Sequence, residues 1–472
     1  MITIIIALVV VFGTFSFALY VFKIPFAVPK TIALLSIFHL LALIVLYNFV
    51  GLDKVQINIL ASWKELLLLN TFFIFIVYRV QKGKGWLFDN NSIDIIFSIY
   101  LFLNITYVFL SFYLNQAPAG LAAILNGLRI QTTVVISYFT ARMVTKKNIP
   151  DTNKFLKFIV FVGTIASVLA IFEIFINPIP LWKMLGVKKY LMDIAGLFEY
   201  EFTKSGVPLT YFASFDTTKG AVVQLRRTGS LFFSPLAFAQ VLLITLPTAL
   251  LLTMKKRLPK RHLIIQITAL LSTISRGPII SVGISCFMLL IMSSFISLKN
   301  RIRIAIPFIL LLCIVMFQGI EFIKATISLK DPSAASRAFV YYSSLNFMFT
   351  HPLGAGLAAS EQKFTAERIG GGESEYFENV SRIGWFGFAI FFGMHLLILH
   401  KSRKKMKSKD ANLALLSAII FGVTCSLFCQ EFVNRVWRHS FLPFVYGWML
   451  GMWVTYNIAT RKNEVVTNAR RN

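Results

Sequence analysis

The sequence predicts an all-α polytopic membrane protein, with about 12–13 transmembrane helices and two long loops on the outer face. Three observations lead there. Of 472 residues, 57% are hydrophobic and only 14% charged, where an ordinary soluble domain has about 25% charged. Phenylalanine alone fills 47 positions, more than one soluble core could use. Apolar runs of roughly 17–25 residues recur, each long enough to cross a hydrocarbon core of about 30 Å as a helix. In lipid a segment must satisfy its own backbone polar groups, which selects helices over open sheets.

The runs fall near 2–22, 31–51, 60–78, 93–113, 124–142, 156–176, 231–254, 262–275, 277–297, 302–320, 383–400, 411–428 and 440–459. That is about thirteen, with the third blurred by the polar stretch Ser62–Glu65. The first run has neither a basic leader nor a small-residue cleavage site, so it reads as a retained span and not as a signal peptide. The chain divides accordingly into helices at 1–176, an outer loop at 177–230, central helices at 231–320, a second outer loop at 321–382, and helices with a basic tail at 383–472.

The net charge of +27 would suggest nucleic acid in a soluble protein. Its distribution argues against that partner. Basic residues gather in short connections: Arg79, Lys82 and Lys84; Lys146 and Lys147; Lys255 to Arg261; Lys299 to Arg303; and the dense run Lys401–Lys409. Short Lys/Arg-rich loops stay cytoplasmic, and membrane lipids with anionic headgroups are their natural neighbours. An odd number of spans, with the basic tail inside, then places the N-terminus outside.

Four cysteines, Cys286, Cys313, Cys425 and Cys429, lie within the apolar runs. Cys425 and Cys429 are one helical turn apart but have no histidine or acid on that face, so they read as small apolar residues. No disulfide framework or zinc motif is present.

Chemistry is expected in the two long connections, because loops of more than about 15 residues are generally functional or disordered. The second should contain a helix, since Asp331-Pro332 can start one and Ser336–Met348 contains no breaker. Four local patterns stand out. Arg226-Arg227-Thr228-Gly229-Ser230 precedes a span. Ser275-Arg276-Gly277-Pro278 divides a long apolar stretch into the two legs of a hairpin, with Arg276 emerging at the outer surface. Arg337 precedes Tyr341-Tyr342 and the turn His351–Gly356. Glu373-Ser374-Glu375-Tyr376 follows three glycines and precedes Gly384–Gly387.

Taken singly, each has a structural reading: Arg226, Arg227 and Arg276 as headgroup anchors, Glu373 and Glu375 as a solvated turn. Together they suit a pyrophosphate donor and a hydroxyl acceptor. Arginine donates bidentately to phosphate and keeps its proton, while a carboxylate can take the proton of a sugar hydroxyl. An Asp-x-Asp pair or histidine cluster is missing from these segments, so no metal is expected.

In this order the patterns resemble the O-antigen polymerase (Wzy) and ligase superfamily of bacterial inner-membrane glycan enzymes. The similarity runs from Arg226 to Ile390; before it, only hydropathy matches. The resemblance implies that Arg276 and Arg337 hold the donor pyrophosphate, with Arg226, Arg227, Tyr341, His351 and Tyr376 as substrate-binding candidates. It makes Glu373 the base that activates the acceptor, with Glu375 as its rival. Ligases of the superfamily carry histidine where this chain has Glu373, which tilts the expectation to a polymerase.

The expected activity is that of a metal-independent glycosyltransferase acting in the biosynthesis of O-antigen, capsular or exopolysaccharide. Its partner is an undecaprenyl-pyrophosphate-linked oligosaccharide; a chain-length regulator is a further candidate partner, and no cofactor is implied. The alternatives are a ligase that uses a lipid A-core acceptor and, from another class, a polysaccharide transporter or flippase. Transporters tend to show repeated halves and midplane polar residues, neither of which is seen here.

Overall fold

The computed structural model describes residues 2–21, 24, 26–83, 91–114, 120–145, 152–216, 222–292, 332–359, 374–439 and 441–469, with the backbone alone at 21, 145, 213–216, 222–224, 332–340 and 462–469. The protein is an all-α polytopic membrane protein. Among the described residues, seven helices are long and apolar enough to cross a membrane, or eight if one bent pair forms a single span. Helices occupy every expected span except 302–320, which lies outside the described residues. The chain forms two compact units, one of Met1–Gly85, Ile136–Val282 and His439–Tyr456, the other of Trp86–Val135, Gly283–Arg438 and Asn457–Asn472.

In the first unit, α1 (Ile2–Val21) turns many large side chains outward, with Ile4 and Val9 each 65% exposed. That is the pattern of a helix facing lipid. α2 (Ala27–Val45) runs into a π-helical turn, Leu46–Val50, ended by Gly51 at φ +76°. The ambiguous stretch near Ser62 is a break: α3 (Lys54–Ala61) and α4 (Trp63–Gln81) meet at 41°. Asp53 starts α3 with a reciprocal cap, its carboxylate accepting from Gln56 N at 2.9 Å while Gln56 Oε1 accepts from Asp53 N at 3.0 Å. Such a cap stabilises a helix start by about 1 kcal/mol.

The centre of this unit is α10 (Pro235–Met254), buried along nearly its whole length. Ser234 caps it and Pro235 occupies its first turn, where the missing N–H costs nothing. It packs with α7 (Thr152–Phe175) and α11 (Lys260–Ser272) through a small polar layer. Thr245 donates to Gln266 Oε1 at 3.0 Å, and Gln266 Nε2 donates to Val160 O at 3.0 Å. Unpaired, such groups would be costly in an apolar interior; paired, they fix the register of three helices.

Between α7 and α10 the first long connection is structured. It contains the short helices α8 (Ile179–Met184) and α9 (Val187–Asp193) and an antiparallel hairpin of β1 (Phe212–Asp216) and β2 (Val222–Arg226), with Phe212 opposite Arg226. This hairpin is the only sheet among the described residues and leaves the class all-α.

The second unit contains α5 (Ser92–Leu114), α13 (Pro332–Thr350), α14 (Glu375–Lys405) and the central α15 (Ala411–Glu431), whose first turn is capped by Asp410. The predicted helix after Asp331 is therefore present. α6 (Leu121–Thr145), α12 (Arg276–Met292) and α16 (Phe441–Ala469) complete the described helices.

α14 is not one straight rod. It breaks at Ile383 (φ −124°, ψ 17°) and Gly384 (φ +66°, ψ −171°), the latter a region open essentially to glycine alone. The turn after α13 fills the break. Trp385 N donates to Pro352 O at 3.0 Å, Ala355 N to Ser381 O at 2.7 Å and Gly356 N to Arg382 O at 3.1 Å. A Cβ on Gly384 would run into the backbone of Pro352 and Leu353, and one on Gly356 into Ser111. Ser111 also accepts from Leu357 N at 2.8 Å, and Tyr107 donates to Leu353 O at 2.8 Å. The His-Pro-x-Gly-x-Gly turn is thus a backbone clasp around a helix break, and its glycines are needed for close approach.

Candidate active site

Two charged clusters are built, one within each unit. In the first, the strand end at Arg226-Arg227 meets the turn between α11 and α12. Arg227 Nε donates to Thr273 O at 2.8 Å, Nη1 to Thr210 O at 3.1 Å and Nη2 to Ser275 Oγ at 2.5 Å. Between its two turn partners lies Ile274, at φ +48°. A β-branched residue there costs about 1–3 kcal/mol, whereas a hydrogen bond from a charged group contributes about 1.5–3 kcal/mol. The guanidinium therefore holds the turn in a conformation it would otherwise leave. Thr228 adds to the hold, its N donating to Ser272 O at 3.3 Å and its hydroxyl lying 2.7 Å from that of Ser272.

The turn presents Arg276, exposed, as the first residue of α12. Burial, and then the neighbouring Arg276 cation, hold the Arg227 pKa below the ordinary guanidinium value. Two like charges so close create a field that favours an anion. Arg226 faces the other way: it donates to Glu173 O, and to Asn177 Oδ1 at 3.3 Å. Glu173 in turn accepts from Gly229 N at 2.8 Å. A side chain at Gly229 would collide with the Tyr211 hydroxyl, which explains a glycine three residues after Arg226. Burial, reinforced by the Glu173 charge, pushes the Tyr211 phenol well above its usual value. Arg226 and Arg227, expected to bind substrate, each donate to groups of the protein itself.

The second cluster lies on the first two turns of α14 and the connection from α15 to α16. Glu378, fully buried, is ion-paired with Arg382 on the next turn and with Arg435, whose Nε lies 2.9 Å away, and accepts a hydrogen bond from Arg438 Nη2 at 3.4 Å. The Arg435 side chain is 22% exposed and that of Arg438 36%, so both reach toward open space while anchored inside. Burial lowers the Arg435 pKa, and the Glu378 carboxylate opposes that shift. Glu375 is also buried, so the solvated-turn reading does not hold for it: its Oε2 accepts from Val436 N at 2.9 Å and Trp437 N at 3.1 Å. Ser374 Oγ donates to Glu431 O at 3.0 Å, and Glu431 lies 3.3 Å from His395 Nε2. The two glutamates of α14 thereby fix the loop that carries Arg435 and Arg438.

The remaining expected residues fall as follows. Glu373 lies outside the described residues. Arg337 lies on α13, of which the backbone alone is described there. Tyr341 donates to Phe432 O at 2.8 Å and packs on Phe377. His351 stacks on Phe347, ring centroids 4.2 Å apart, at the end of α13. Tyr376 is buried in a cage of Phe388, Phe391, Phe392, Phe428 and Phe432. All three make contacts within the second unit. Among the described residues, no three His, Cys, Asp or Glu side chains gather as a metal site.

Glu378, Arg382, Arg435 and Arg438 were not singled out from sequence. Two signals pointed to them. Glu378 and Arg382 stand four apart, one helical turn. Arg435 and Arg438 lie on a short connection that the charge rule would leave poor in arginine.

Fold and clusters together define a multi-pass membrane protein with an arginine-rich cluster in each unit. A family model described as O-antigen ligase matches residues 262–392, somewhat more than a quarter of the chain. That segment contains Arg276, Arg337, the His351–Leu357 turn and Glu373–Glu375, and its likeness to this family supports the O-antigen polymerase and ligase superfamily of glycosyltransferase-like enzymes. Arg226–Gly229 lies upstream of it. No curated protein matches the chain.

Proposed function

We propose that this protein is a glycan polymerase of the bacterial inner membrane. Its donor is a growing chain on undecaprenyl pyrophosphate, and its acceptor is a lipid-linked repeat unit. The observation that carries this reading is the family match over 262–392, since one matched segment holds Arg276, Arg337 and Glu373.

In the transfer, the acceptor oxygen bonds to the donor's anomeric carbon as the bond to pyrophosphate breaks. Glu373 takes the hydroxyl proton, and the electron pair leaves with the pyrophosphate. Arg276 and Arg337 neutralise the charge that develops there, the kind of preorganised electrostatics that contributes most in such sites. The donor bond itself drives the reaction, so no cofactor enters.

The second reading is a ligase, favoured by the description of the matching family. Glu373, at a position where ligases of the superfamily carry histidine, favours the polymerase. Acceptor supply separates the two. Purified protein in liposomes, given only its cognate lipid-linked repeat, is expected to yield a ladder spaced by one repeat. Single-repeat material that persists until lipid A-core is added, and is then transferred en bloc, would establish the ligase.

A further inference from the structure

One cavity of the first unit lies outside the residues assigned to that transfer. Its volume is about 530 Å³, and its walls are α8, α9 and the turn at Ser205-Gly206, a size within the range of roughly 300–1,000 Å³ usual for small-ligand pockets. Four lysines line it, Lys183, Lys188, Lys189 and Lys204, against a single acid, Asp193.

The walls are built rather than loose. Gly186, at φ +69°, joins the two helices, and Asn48 Nδ2 donates to Leu185 O at 2.8 Å and Gly186 O at 3.1 Å. Trp182 is buried against Tyr211, ring centroids 4.5 Å apart, and against Phe233 at 5.7 Å. Thr203 N donates to Val207 O at 2.8 Å and Gly206 N to Thr203 O at 2.8 Å, closing the opposite turn.

The charges are unevenly used. Asp193 accepts from the Tyr47 hydroxyl at 2.6 Å, Lys188 pairs with Glu199 at 2.9 Å, and Lys189 lies 5.5 Å from the centre of the Tyr47 ring. Lys183 and Lys204 are exposed and have no ion-pair partner among the described residues. The cavity thus keeps a surplus of positive charge over an apolar wall of Trp182, Val187 and Met192. Lysine is a compact point charge on a flexible stem, suited to single oxyanions rather than to a planar bidentate fit.

We propose that this cavity binds an acidic sugar of the glycan substrate, through its carboxylate or phosphate substituent, apart from the arginines assigned to the pyrophosphate. The proposal rests on the glycan-transfer reading. A concave pocket with an apolar wall suits a sugar ring bearing one charge, whereas a lipid headgroup needs no such cavity.

The test is binding, without turnover. Full-length protein in nanodiscs of phosphatidylcholine is titrated with trigalacturonate and, separately, with the neutral trisaccharide maltotriose. Saturable binding of the acid alone is expected. The paired substitutions Lys183→Gln and Lys204→Gln are expected to weaken it roughly tenfold or more, since one charge-assisted hydrogen bond is worth about a factor of ten. The same double variant must run as a monodisperse species; Lys183→Arg with Lys204→Arg, which keeps both charges, is expected to retain binding. Equal affinity for the neutral sugar, or affinity unchanged in the glutamine variant, overturns the proposal. So does loss of trigalacturonate binding when phosphatidylglycerol replaces part of the nanodisc lipid, because the pocket would then be a headgroup site. A protein that builds ladders but fails this titration loses the subsite only; one that binds and builds nothing loses the transfer reading.

Discussion

The guanidinium of Arg227 and the hydroxyl of Ser275 are hydrogen-bonded at 2.5 Å across 48 positions of sequence, joining the segment before α10 to the turn that presents Arg276. The first arginine motif is therefore a fixture for the second. Arg227→Lys can satisfy at most one or two of the three acceptors from a single nitrogen, so it should keep the fold and lose the turn. We expect at least a tenfold fall in glycan transfer at wild-type expression, with Ser275→Ala milder. Full transfer by Arg227→Lys would show that the turn holds itself.

Arg276 and Arg337 should each be needed for turnover, with lysine a poor substitute because it lacks the planar fork. Loss of one charge-stabilising donor typically costs roughly a hundred- to thousandfold in rate. The measurement is product length in a host lacking the native protein, with membrane levels matched by immunoblot. Full-length glycan from Arg276→Ala or Arg337→Ala would remove that residue from the chemistry.

The carboxylates should separate by role. Glu373→Gln keeps shape and loses the proton acceptor, so it should abolish turnover while the donor still binds. Glu375→Gln should be milder, since an amide oxygen can still accept from Val436 N and Trp437 N. Glu378→Ala should unfold the second unit more easily. Breaking a buried ion pair costs about 3–5 kcal/mol, and here three arginines lose their partner at once. Thermal unfolding in detergent reports it as a lowered Tm. An unchanged Tm for Glu378→Ala would mean that the arginines find water instead.

Orientation follows from the basic connections. With the native cysteines replaced, a cysteine at Tyr200 should react with an impermeant maleimide in intact spheroplasts. One at Lys404 should react only after permeabilisation. Labelling of position 404 in intact spheroplasts would invert the proposed face of the chemistry.

What the sequence made legible follows from how far apart the cooperating residues lie. Long apolar runs announce helices because the bilayer imposes one length, and Ser275-Arg276-Gly277 announces a turn because it interrupts such a run. The break beside Ser62 is equally local. Arg226 and Arg227 illustrate the limit. Composition says that an arginine can bind phosphate; only the fold shows that their donors are taken by Glu173, Asn177, Thr273, Thr210 and Ser275. Glu378 meets Arg435 and Arg438 across about sixty residues, a pairing that no local pattern encodes. Tyr376 sits beside two candidate bases in sequence yet faces a phenylalanine cage, because a helix turns neighbouring side chains about 100° apart.

The break at Ile383–Gly384 has a consequence for how this protein can change. A continuous helix transmits phase: one inserted residue rotates everything beyond it by about 100°. Here the turn at Pro352–Gly356 grips the chain at the break, so the helical phase restarts at Trp385. The lipid-crossing half of α14 can therefore gain or lose residues, or shift its apolar stripe to suit a thicker bilayer, without swinging Glu375, Glu378 or Arg382 out of alignment. The charged half and the greasy half are free to drift separately, as though they were two helices that share only a name.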